Sequence, residues 1–213
     1  MTTFFNKSPD FANISFSKPI KGQDDRYFVA CLHKNGSAPA SEVLCQFSKQ
    51  VATTAPLNGQ CAEFAIACED TVDFVKECDD AIVNMCKEHK IDWFSSDEIT
   101  DSYIEQAFMP SLKDAKKQKN TFILKTRTCK DTIAFNSSKE RVELDELHAN
   151  AKVSIIVQLH GIWFTKTRFG LTWRIRQLKI HETERLNKFG TSLFVEDDAD
   201  IDDEDIDNVF PEN

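Results

Sequence analysis

The spacing of apolar residues along the chain changes period twice. Residues 14–20, 26–33, 41–47 and 60–68 carry short apolar runs rich in Phe, Val and Ile, the pattern of β-strands. Asn35-Gly36 and Asn58-Gly59 stand between runs and can supply the positive φ of tight hairpin turns. Over residues 70–90 the period lengthens. Val72, Val75, Ile82, Met85 and Cys86 fall near helical spacing, with Asp73, Lys76, Asp79, Asp80 and Lys87 between them, which predicts an amphipathic helix with a solvated acidic face. A second helix is predicted over 96–108, opened by a Ser95/Glu98 capping box and ended by Pro110. Strand patterns then resume at 121–127, 132–135, 152–164 and 171–180. Arg168-Phe169-Gly170 separates the last two, so these read as a hairpin with Gly170 in the turn.

Four strands, a helical insertion at about 70–108 and about four more strands give a mainly β chain with a helical insertion (α+β). An OB-fold-like antiparallel barrel is the simplest match, and a separate α+β sandwich is the alternative. The organisation expected is one domain over 1–190 followed by an acidic tail over 191–213. The apolar content of 41% suffices for a core of that size.

The net charge of −9 argues against a polyanion partner, but its distribution reverses that reading. Residues 1–110 hold 9 basic and 17 acidic side chains, residues 111–190 hold 17 basic and 8 acidic, and residues 191–213 hold 10 acidic and none basic. A basic zone between acidic ones points to a polyanion-binding region beside an acidic, disordered tail. The seven cysteines are dispersed, none in C-x-x-C spacing, so they read as small buried hydrophobes of a reducing compartment rather than as zinc ligands. No apolar run suits a signal peptide or a membrane span, and an intracellular protein without membrane contact is expected. Walker, zincin, nucleophile-elbow and deaminase motifs are missing, and the five histidines are scattered, so neither catalysis nor a cofactor or metal is expected.

The densest chemistry lies in residues 160–181, where Trp163, Phe164, Phe169 and Trp173 alternate with Lys166, Arg168, Arg174, Arg176 and Lys179. Single-stranded nucleic acid exposes base faces for aromatic rings and a flexible phosphate chain for cations. Alternation puts Trp173 and Ile175 on the core face and Arg174 and Arg176 on the other. Trp163 and Phe164 point to opposite faces, and Phe169, at the turn, is the foremost stacking residue. Lys125 and Arg127 share one side of their strand and extend the basic surface. Candidate phosphate contacts are therefore Lys125, Arg127, Lys166, Arg168, Arg174 and Arg176, and candidate stacking residues are Trp163, Phe164 and Phe169. The lysines 113, 116, 117 and 119 read as a solvated loop, and His160 as a structural histidine. In the tail, Asp203, Glu204, Asp205, Asp207 and Phe210 form an acidic element with an apolar anchor, suited to imitate phosphate on the basic surface or to dock a protein partner.

The stretches Gly161-Ile162-Trp163-Phe164, Phe169-Gly170-Leu171-Thr172-Trp173 and Gln177-Leu178-Lys179-Ile180 resemble the C-terminal block of the single-stranded-DNA-binding proteins of nucleocytoplasmic large DNA viruses, which are related to those of T-odd podophages. Phe108-Met109-Pro110-Ser111-Leu112-Lys113 resembles that family's pre-strand element, and the acidic end with Phe210 is similar to the tails of phage and bacterial counterparts. The resemblance spans roughly 108–181 and the tail. It implies an OB fold and a role in viral DNA replication, recombination and repair. The partners it implies are single-stranded DNA and a replication polymerase or helicase–primase held through the tail; a homo-oligomer is a further expectation that the sequence leaves open. The compartment would be the host cytoplasm, in a virus factory, or the nucleus. A rival reading is a protein–protein adaptor or transcription factor that docks by its acidic tail.

Overall fold

The computed structural model describes residues 3–5, 11–22, 26–35, 38–54, 61–94, 98–115 and 120–181. The main strands are β1 (Tyr27–Asn35), β2 (Val43–Ala52), β3 (Cys61–Ile66), β4 (Phe122–Arg127), β5 (Ile133–Phe135), β6 (Lys152–Phe164) and β7 (Phe169–Ile180). Between β3 and β4 lie α1 (Glu69–Glu88), α2 (Lys90–Phe94) and α3 (Asp101–Ala107). Strand β2 pairs antiparallel with β3, β3 with β4, β6 with β7, and β6 with β2. Strand β4 meets β7 in parallel through the register pair Arg127↔Arg174. These pairings close a ring of five strands, β2-β3-β4-β7-β6, in the order of the OB fold. The barrel expected as antiparallel thus has one parallel seam, and it is the weakest join of the ring.

The segment between α3 and β4 occupies that seam. Strands β4 and β7 diverge towards their N-terminal ends. Phe108–Met109 pairs with Phe169 and Gly170 of β7, and Leu112–Asp114 pairs with β4 at Phe122, Ile123 and Leu124. Residues 108–114 therefore form a strap, attached to one strand on each side of the gap, with Pro110 and Ser111 at its corner.

The length of β6 carries it out of the ring. Its first part pairs with β2, and Gly161–Phe164 pairs with β1. Strict alternation fails twice in the β6–β7 hairpin. Leu159 and Ile162 are both buried although three apart, and so are Ile175 and Leu178. The register explains both: Leu159↔Trp173 is followed by Gly161↔Thr172, and Ile156↔Gln177 by Val157↔Ile175. His160 and Arg176 are the extra residues of two β-bulges, which restore core-facing parity and re-aim their own side chains.

The barrel core includes Phe64, Leu124, Ile155, Val157, Leu159, Trp173 and Ile175, and α1 covers it with Val72, Val75, Cys78, Ile82 and Cys86. A second cluster forms at the far end of the hairpin. Phe164 and Phe169 stack at 5.6 Å, Phe94 packs edge-on against both, Phe108 lies against Phe169 and Trp93 against Phe164.

Several expectations are corrected. The predicted helix over 96–108 is the single short helix α3 (Asp101–Ala107), and its cap is Thr100, whose hydroxyl accepts from the Tyr103 amide. Ser95 lies outside the described residues, and Phe108 already belongs to a strand because it pairs with β7. The hairpin turns at 165–168, where the Thr165 amide and hydroxyl both donate to the Arg168 carbonyl, so Phe169 and Gly170 stand within β7. Asp79, read as solvated, is buried. Cys31, Cys45, Cys78 and Cys86 are buried and burial pushes their thiols up, whereas Cys68 is exposed and Cys61 and Cys129 are half-buried. The Asn58-Gly59 pair, Gly36, lysines 116, 117 and 119 and the whole acidic tail, with Asp203, Glu204, Asp205, Asp207 and Phe210, lie outside the described residues.

Candidate nucleic-acid interface

Strands β1, β6, β7 and β4 present one outer surface, and a groove of about 700 Å³ runs across it. One end is aromatic, with Tyr27, Phe28 and Trp163. The other is basic, with Lys125 and Arg127 from β4 and Arg174 from β7. Gly22 and Arg26 next to β1, and Met109, Pro110, Ser111 and Lys113 of the strap, also line it. Among the described residues the lining holds five Lys and Arg side chains and no carboxylate. The nearest acid in register is Glu63, which pairs with Lys125 across β3 and β4 but does not line the groove.

Two glycines set the aromatic end. A Cβ on Gly161 would lie 2.2 Å from the Val29 carbonyl oxygen and 2.5 Å from Cζ of Phe28. A Cβ on Gly170 would lie 2.9 Å from the Met109 carbonyl oxygen and 3.0 Å from Cζ2 of Trp163. Each ring thus lies on the bare backbone of the neighbouring strand. Phe28 of β1 covers β6, and Trp163 of β6 covers β7. The Trp163 indole is further fixed by its Nε1–H, which donates to the Leu171 carbonyl at 3.3 Å. Both rings are half-buried, with the remaining surface in the groove. Rings held in this way lose little side-chain freedom when a base stacks on them.

The bulged His160 lies against Phe28 at 4.8 Å between centroids, the rings tilted by 32°. Burial, and then the neighbouring charges of Arg174, Arg176 and Arg127, push its imidazole down to about 4. At neutral pH it is an uncharged part of the aromatic surface. The arginines that depress it show how closely positive charge is gathered here: Arg127 and Arg174 stand side by side across the seam. Like charges in such a position are unfavourable until an anion joins them.

The sequence-predicted residues divide into three groups. Lys125, Arg127, Trp163 and Arg174 come together in the groove. Lys166 and Arg168 stand exposed in the hairpin turn outside the lining, Arg168 reaching Met109 Sδ at 3.1 Å. Arg176, re-aimed by its bulge, pairs with Glu42 at 3.1 Å. Phe164 and Phe169, expected to stack on bases, are instead 5% and 1% exposed. Phe164 is a core residue because the His160 bulge shifts the parity of β6, and Phe169 because the chain turns before it, which returns it to the inward face. Trp173 is in the core as expected, with its indole edge at the floor of the groove. Arg26, Tyr27, Phe28, Lys113 and His160 were missed. Arg26-Tyr27-Phe28 is a basic–aromatic triplet in an acidic half, the one local signal available; the others needed the tertiary pairing.

Among the described residues there is no metal site of three or more His, Cys, Asp or Glu side chains and no helix long and apolar enough to cross a membrane. The single-stranded DNA-binding protein from bacteriophage Enc34, as a C-terminal truncation, is similar at a TM-score of 0.47 and 13% identity, over 82% of this chain and 98% of that one. The same protein in complex with ssDNA gives 0.46 and 13%, over 81% and 97%. Gp2.5, a single-stranded DNA-binding protein encoded by bacteriophage T7, gives 0.47 and 8%, over 70% and 97%. No curated protein matches the sequence. Residues 57–197, which hold most of the barrel and the strap, match a family of unknown function (DUF5871), and the chain belongs to that family.

Proposed function

We propose that the protein binds single-stranded DNA without regard to sequence, in the groove across β1, β6, β7 and β4. The observation that carries this reading is a groove whose lining, among the described residues, holds five cationic side chains, no carboxylate and two rings packed against glycines. Cations of this kind take phosphates, and exposed ring faces take unstacked bases of any identity. A duplex hides its base faces and would leave Phe28 and Trp163 unused. Trp163 is the reporter: oligo(dT) should quench its emission in the full chain, and the quench should vanish in Trp163→Phe. An adaptor with no groove ligand would show no quench.

The cellular role is a further part of this proposal. Transiently single-stranded DNA arises in replication, recombination and repair, and the resemblance of residues 108–181 to viral proteins supports a role in those processes. The acidic element of the tail, with Phe210, suits docking to a basic, apolar pocket of a polymerase or helicase–primase. Such work belongs in a reducing compartment, the host cytoplasm or nucleus.

A further inference from the structure

The groove has a buried support that the reading above does not use. Asp79 lies on the covered face of α1, 6% exposed, among apolar neighbours. A carboxylate in such a place needs partners. Both of its oxygens are taken by one residue of the strap: the Ser111 amide donates to Oδ2 at 2.8 Å and the Ser111 hydroxyl donates to Oδ1 at 2.6 Å. The Ser111 oxygen in turn accepts from Trp173 Nε1 at 2.8 Å. The direction of this chain is forced. An indole can only donate, an ionised carboxylate can only accept, and the hydroxyl between them has a single proton.

Ser111 is the corner at which the strap passes from β7 to β4, and both Ser111 and Trp173 line the groove. The strap fills the gap beside the join at which Arg127 and Arg174 meet. Its hold on Asp79 therefore fixes one wall of the groove against the floor. Accepting the groove as the strand-binding site, we propose that Asp79 is a positioning residue for DNA binding: its carboxylate pins the strap through Ser111, and protonating it loosens the wall and weakens strand affinity.

Burial is the main influence on this carboxyl. It raises the group to about 6 against the opposing effect of the two Ser111 hydrogen bonds, with Asp80 on the same helix adding to the rise. The strap's own charged groups, Lys113 and Asp114, are exposed, Cys78 on the helix keeps its thiol proton, and His160 stays neutral. Asp79 is thus a buried group beside the groove whose charge changes near pH 6. Protonation replaces charge-assisted bonds by neutral ones of roughly half the strength.

The test compares the full chain with its Asp79→Asn variant on oligo(dT), whose bases do not titrate below pH 8, at fixed salt from pH 5 to 8. The wild type should lose affinity about ten-fold on acidification, with a midpoint near 6. Asp79→Asn should be weaker by a similar factor at pH 8 and flat across the range. The indole N–H resonance of Trp173 should move with the same midpoint in the wild type and sit at its acid position in the variant. A residue that merely held the fold together would lose stability and affinity in parallel, with no pH midpoint. Equal affinity and an equal pH profile in the two proteins, with DNA bound by both, would overturn the inference and leave the groove intact. If the wild type fails to bind oligo(dT) at all, the groove reading falls, and the Trp173 resonance alone decides whether Asp79 pins the strap. Should Asp79→Asn not fold, Ser111→Ala takes its place, with the same loss of affinity and the same resonance shift expected.

Discussion

Replacing Arg127 and Arg174 together by Gln tests the groove where its charge is most concentrated. The two residues are register partners across the seam and both line the groove. Each phosphate neutralised on a single strand contributes roughly 0.7 to the slope of log affinity against log salt. Five cations in the lining give a slope near −3.5 if each meets one phosphate. Between 50 and 200 mM salt the wild type should then lose about 130-fold in affinity. With two cations removed the slope should be near −2, and the loss over the same range about 20-fold. If counterion release is the whole effect, the double variant is weaker by about 60-fold at 50 mM and about 10-fold at 200 mM. The variant should not lose stability, since it removes two like charges that face each other. The assay is fluorescence titration with oligo(dT) at four salt concentrations, with thermal unfolding as the control for folding. An unchanged slope in a folded double variant would show that phosphates do not lie at this seam, and the groove would have to be abandoned.

The remaining expectations separate ring from charge and core from surface. Trp163→Ala should weaken oligo(dT) binding by roughly 1–3 kcal/mol, the worth of one stacked base, and leave the salt slope as it was, because stacking releases no counterions. Phe169→Ala should do the reverse of what its place in the sequence suggests: about 3–5 kcal/mol of stability lost in denaturant titration, and near-normal binding in whatever remains folded. Gly161→Ala should disrupt the β1–β6 pairing, since its Cβ would meet the Val29 carbonyl at 2.2 Å; loss of secondary structure by circular dichroism checks this. Asp79 is raised from 3.8 to about 6, so the folded state holds that proton more tightly than the unfolded one. Its contribution to stability is therefore greatest at low pH and declines as pH rises through that window. By linkage the decline is about 3 kcal/mol, and Asp79→Asn should abolish it in denaturant titrations from pH 4 to 7.

Much of this protein is written in local pattern. Period-two runs placed β4, β6 and β7 close to their observed ends, and helical spacing placed α1, because burial of one face is a local property of each segment. The concentration of positive charge in 111–190 marked the segment that supplies Lys113, Lys125, Arg127 and Arg174 to the groove, and the alternation in β7 separated Trp173 from Arg174. Pairing and closure decided the rest. Which ring reaches the groove depends on where the hairpin turns and on two single-residue bulges. A shift of one residue exchanges the faces of a strand: the bulge at His160 put Phe164 in the core, and the turn at 165–168 put Phe169 on the core face of β7. Phe28 became a platform only because β1 lies against Gly161, well over a hundred residues away in the chain. Asp79 looked like one more solvated acid on a helix, since nothing near it in sequence discloses Ser111. Sequence thus determined the elements and the sign of the surface. Tertiary structure determined which side chains share a face, because register and seam are set by contacts between segments and not by the composition of any one of them.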